Sequence, residues 1–148
     1  MPETATNPAD RALRATTAVF AVALFVHGAD HFRRGLNVCS ALVNALGTLQ
    51  SMFAVLTIVL VFRGHRAAPL AATIVGFASA VGFLVVHILP DWFGPLSDSF
   101  INPPASARVT GFSWFAALFE ITADLAVGIA GLYALRARRM ALAPAPVS

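Results

Sequence analysis

The chain has 148 residues, a length that fits one domain, of which 58% are hydrophobic and only 11% charged; a soluble domain carries roughly 25% charged residues. So few polar side chains cannot cover a water-soluble globule, and a lone cysteine, Cys39, excludes a disulfide scaffold or a zinc ribbon. The net charge of +3 does not point to nucleic acid, because all ten basic residues are arginines placed at the ends of apolar runs, where they anchor helices in headgroups. The absence of lysine also excludes Schiff-base chemistry on this chain.

In chain order, residues 1–10 are polar and carry Pro2 and Pro8, and are predicted to be a disordered tail. A hydrocarbon layer of about 30 Å needs roughly 20 helical residues, and four apolar runs meet that length, at about 15–34, 40–62, 68–89 and 109–135. The first becomes polar after Val26, through His27-Gly28-Ala29-Asp30-His31, so a cleaved signal peptide is the competing reading of that run; no small-x-small site follows at the right distance, which favours a retained helix. Arg63-Gly64-His65-Arg66 reads as a tight turn between antiparallel helices, with Pro69 in the first turn of the next one. The connection from Pro90 to about Ala107 holds five prolines and glycines that forbid a continuous helix, and its Trp92, Phe93, Phe100 and Ile101 are expected to dip into the headgroup layer. The tail at 140–148, with Pro144 and Pro146, is again predicted disordered. The expected fold is therefore an all-α integral membrane protein, one domain over 11–139, with four transmembrane helices in an antiparallel up-down bundle.

Arginines on alternate sides set the orientation. Arg11, Arg14, Arg63, Arg66, Arg136, Arg138 and Arg139 fall on one side and Arg33, Arg34 and Arg108 on the other, which predicts cytoplasmic N- and C-termini. Arginine without lysine, with an alanine-rich tail, fits a high-GC bacterium and hence a multi-pass protein of its plasma membrane.

Ionisable residues within spans are functional candidates by default. Here they are His27, Asp30 and His31 on the first run, His87 and Asp91 at the end of the third, and Glu120 and Asp124 on the fourth, with Asn44 and Gln50 on the second. His27 and His31 are four apart and share a face, as do Glu120 and Asp124. The face of Glu120 continues through Ser113, Ala117, Gly128 and Gly131; that of His87 through Ala72, Gly76 and Ala80; that of Asn44 through Gly47, Thr48 and Ser51, with Gln50 off it. Small residues let helices approach closely in lipid, so these stripes are the expected bundle interior.

Three readings follow. In the first, His27, His31, His87 and Glu120 bind a divalent Zn, Fe or Cu ion, with Asp30, Asp91 and Asp124 holding the imidazoles through hydrogen bonds. In the second, a histidine-carboxylate relay serves a proton-coupled carrier, or a protein that binds or modifies a lipid from the outer leaflet. Glu120 is then the general acid, His27 the base, and Arg33 and Arg34 a cationic rim. In the third, the cluster only fixes helix packing in an accessory subunit of a homo-oligomer or larger membrane complex. Asp91 and Asp98 also read as solvated loop charges, and Cys39 as a packed thiol without a partner. Gly-rich phosphate loops, Gly-x-Ser-x-Gly, Cys-x-x-Cys and His-Glu-x-x-His are absent from the sequence.

Overall fold

The computed structural model describes residues 7–142. Among them the chain is all-helical, with α1 over Pro8–Arg34, α2 over Ala41–Phe62, α3 over Ala68–Phe83 and α4 over Gly111–Leu142; a π-helical turn, Leu84–Ile88, continues α3. The four helices, counting that turn with α3, are long and apolar enough to cross a bilayer. Their outward faces carry Phe25, Met52, Val81 and Ile129, each more than half exposed, a surface that suits lipid and not water.

The first and last helices outrun the sequence reading. Asn7 accepts a hydrogen bond from the Ala9 N–H at 3.0 Å and Pro8 occupies the first turn, so α1 begins seven residues before position 15 and residues 8–10 are helical rather than part of a tail. At the far end α4 continues to Leu142. Arg138 of α4 donates to Asp10 of α1 at 3.0 Å and ties these extensions together. The predicted disorder of 1–6 and 143–148 lies outside the described residues.

Helix ends follow local chemistry. Gly35, at φ 97°, closes α1 and sends its N–H to the His31 carbonyl. Ser40 caps α2 by accepting from the Val43 N–H at 3.1 Å. The turn after α2 is tight as expected, with Gly64 at positive φ and Pro69 in the first turn of α3.

The core lies mainly between α1, α3 and α4, with Ala54 and Val61 of α2 joining it. The small-residue stripes of α3 and α4 meet there: a Cβ on Gly76 would stand 2.6 Å from the Asp124 carbonyl oxygen and 2.7 Å from the Gly128 nitrogen, and one on Gly131 2.7 Å from the Pro69 carbonyl. These glycines allow backbone contact. The stripe on α2 behaves differently. Asn44, Gly47, Thr48 and Ser51 line a cavity instead of a packed seam, and Gln50, expected off that face, lines it too and donates to Ser79 of α3 at 3.1 Å.

Candidate functional site

Three histidines converge at the end of the bundle where α1 and α3 stop. His27 and His31 come from successive turns of α1, and His87 from the π-helical turn. That turn has a local cause. Pro90 has no N–H and pushes Leu89 to an extended conformation, φ −77° and ψ 155°, while the Leu89 N–H reaches back five residues to the Leu84 carbonyl at 3.0 Å. The wider turn carries His87, which is 2% exposed; π turns of this kind recur at functional sites.

One nitrogen from each of His27, His31 and His87 lies within 4.8 Å of the others, a grouping that can hold a metal ion. Nε2 of His27 and Nε2 of His31 stand 3.0 Å apart. Two nitrogens bound to one ion at about 2.0–2.1 Å lie roughly 3–3.4 Å apart, according to the angle at the metal, so the spacing suits a shared ion. His87 turns Nδ1 to the Asp98 carboxylate, 3.3 Å from Oδ2, which leaves its Nε2 as the free nitrogen. A carboxylate behind a histidine is the usual support for a metal-binding imidazole.

The loop after α3 builds the other side of the site. Backbone N–H groups of Asp98 and Phe100 donate to the Val86 and His87 carbonyls, each at 2.9 Å, so the loop satisfies carbonyls that the end of α3 would leave open. This fold-back buries Asp98 to 8% exposure and Phe100 to 3%. Asp98 is thus not a solvated loop charge, and Phe100 does not dip into headgroups. Trp92 and Asp91 do stay exposed; the carboxylate beside His87 is Asp98, which is not among Asp30, Asp91 and Asp124, the three expected to hold the imidazoles.

Arg34 is not a rim residue either. It is 1% exposed, donates to both Asp98 carboxylate oxygens at 2.7 and 2.6 Å, and gives its Nε–H to the Ala107 carbonyl at 2.8 Å. Burial penalises the Asp98 charge, yet hydrogen bonds from His87 and Arg34 outweigh it and hold this carboxyl well below the usual range. Arg33 remains at the surface and pairs with Asp30 at 2.7 Å; Asp30 also accepts from Ser113 of α4 at 3.2 Å. Asp30 thus joins α1 to α4 rather than holding an imidazole.

Cys39 does have a partner. Its Sγ lies 3.6 Å from His31 Nδ1, and burial together with the Asp98 charge pushes the thiol up to about 12. The thiol can therefore donate to His31 Nδ1, which places the proton of His31 on Nε2, facing His27. Cys39, His31 and Asp98 form a second group of ligand-type atoms within 4.8 Å of one another, sharing His31 with the first.

Glu120 and Asp124 are not in either group. Both are fully buried on α4, and their carboxyl oxygens have no hydrogen-bond partner; nor does Nδ1 of His27. The sequence did signal His27, His31 and His87, by spacing and by position in a span. Nothing local signalled Asp98, Arg34 or Cys39, whose roles depend on the loop folding back.

No family model matches the chain, and no curated protein or solved structure matches it.

Proposed function

We propose that this chain is a membrane metalloprotein in which His27, His31 and His87 bind one divalent transition ion, Zn, Fe or Cu, through Nε2. The observation that carries the reading is the approach of three buried or half-buried imidazoles from two helices to within 4.8 Å. Three imidazoles suit these metals, and a three-ligand set leaves a coordination position for water or substrate, as sites that act on substrates do. Such an ion would act as a Lewis acid or lower the pKa of a bound water to about 7. Asp98 orients His87 and, with Arg34, forms a pair of no net charge beside the ion. If His31 gave Nε2 to the metal, its proton would sit on Nδ1, where the sulfur of Cys39, 3.6 Å away, would accept it.

The arginine distribution supports cytoplasmic termini, which puts this cluster near the outer face of a bacterial plasma membrane. A second reading, proton handling for a carrier, rests on Glu120 and Asp124. Two fully buried carboxyls without partners are costly to keep in a span and mark a place where protons or ions can bind.

Elemental analysis of chain purified in detergent without chelators tests the metal reading. The expectation is about one equivalent of Zn, Fe or Cu per chain, lost in His87→Ala and kept in His65→Ala. Wild-type protein with no transition metal, before and after supplementation with Zn, Fe or Cu, overturns it.

A further inference from the structure

The three histidines form part of the wall of a partly open cavity of about 730 Å³ bounded by α1, α2 and α3. This is well inside the range of roughly 300–1,000 Å³ that takes up small-molecule ligands. Along α2 the lining runs from Val43 to Phe53, a length of roughly 15 Å at the helical rise. Leu24, Phe32, Ile74 and Phe83 make the rest of the wall largely apolar.

Three glycines bear on why the space exists. Gly28 of α1, Gly47 of α2 and Gly82 of the α3 end all line the cavity, and a Cβ placed on any of them meets nothing within 4 Å. None has a positive φ. Neither backbone conformation nor close helix contact requires glycine there, in contrast to Gly76 and Gly131, whose Cβ atoms would collide with a neighbouring backbone. Glycine within a helix costs about 1 kcal/mol relative to alanine. One unforced glycine on each of three helices, all facing the same space, keeps that space open.

Charge restricts what can fill it. Among the described residues no arginine lines the cavity: Arg33 and Arg34 are paired with Asp30 and Asp98, and Arg108, at the same end, donates to the Arg34 carbonyl. A phosphate or carboxylate head would find no arginine in the wall to balance it, so the polar group that the protein's own side chains accommodate is neutral. Its oxygen meets the histidine cluster and its apolar body lies along α2.

We propose that the α1–α2–α3 cavity is the binding site for a neutral, membrane-soluble molecule with a long apolar body and one terminal hydroxyl or carbonyl oxygen. The placement of that oxygen at the histidines rests on the metal reading above; the occupancy of the cavity does not.

Photolabelling of the full chain in detergent tests this, with zinc supplied and a diazirine-bearing dodecanol as probe. Labelled peptides should come from the cavity-lining parts of α1, α2 and α3, and excess 1-dodecanol should suppress them. In protein stripped of metal, where no ion balances its charge, the matched dodecyl phosphate probe should label at least tenfold less than the alcohol. Gly47→Leu and Gly82→Leu fill the space and should each cut labelling at least tenfold while zinc stoichiometry and thermal midpoint are kept. Unchanged labelling in both variants, or labelling confined to lipid-facing positions such as Ile129, overturns the cavity site. Equal labelling by the phosphate probe in the stripped protein overturns the neutral head. Glycine-dependent labelling in protein that binds no metal leaves the cavity site standing and refutes the metal reading, whereas metal without cavity labelling does the reverse.

Discussion

Arg34 at the last turn of α1 holds Asp98 of the α3–α4 loop through two charge-assisted hydrogen bonds of 2.7 and 2.6 Å, in a place where both side chains are almost wholly buried. The pair closes the end of the bundle over the histidines: Asp98 also meets His87, and Arg34 lies over the Phe100 ring at 5.1 Å. Breaking it should be costly. Arg34→Ala or Asp98→Ala leaves one buried charge alone and should destabilise the protein by about 3–5 kcal/mol, whereas Arg34→Met with Asp98→Leu should lose much less. Thermal unfolding of the four proteins in one detergent measures the difference, and equal losses in single and double variants would contradict a buried pair.

The same carboxylate sets a pH dependence. Asp98 is held below its unfolded value, so it contributes stability that is complete above the ordinary carboxylate pKa, about 4, and is lost as pH falls below that value. Between pH 6 and pH 3 the unfolding midpoint of the wild type should drop more steeply than that of Asp98→Asn, which starts lower. Parallel curves would show that Asp98 is not the group responsible.

Metal affinity should report the support that Asp98 gives His87. Asp98→Asn is expected to weaken zinc binding by about 10–100-fold, the usual cost of losing the partner of a metal-bound imidazole. Titration with a competing chelator measures this. His65, in the α2–α3 turn, makes its hydrogen bond to the Ala67 N–H and is the control, with unchanged affinity.

Glycines of the two kinds should respond in opposite directions. Gly76→Ala places a Cβ 2.6–2.8 Å from the α4 backbone and should destabilise by about 1–3 kcal/mol as α3 and α4 separate. Gly28→Ala enters open space and should be neutral or stabilising by up to about 1 kcal/mol. Unfolding midpoints decide, and a loss at Gly28 equal to that at Gly76 would remove the distinction between packing and cavity glycines.

Glu120 is fully buried with both carboxyl oxygens unpartnered. Replacement by an apolar residue of similar volume, Glu120→Met, should raise stability by about 1–3 kcal/mol, since an unsatisfied polar group is removed from the interior. The rise should come with loss of any proton-linked activity. A fall in stability would mean that the carboxyl has a bonding partner in the folded protein.

The sequence by itself determined the membrane class, the four helices and the inward faces of α1, α3 and α4, because hydrocarbon tolerates only long apolar helices and turns their polar and small residues toward one another. It also put His27 and His31 together, since residues four apart on a helix are neighbours whatever surrounds them. The tertiary structure decided the rest of the site. Asp91 and Asp98 look alike in sequence, but only Asp98 is carried onto His87, because the loop bonds to the Val86 and His87 carbonyls left open by Pro90. Arg34 reads as a headgroup anchor until that loop returns and covers it. The cavity was equally out of reach, and so was the position of Glu120 apart from the histidines. Periodicity says which face of a helix turns inward, and how fully the neighbouring helix fills the space there is fixed only when side chains meet.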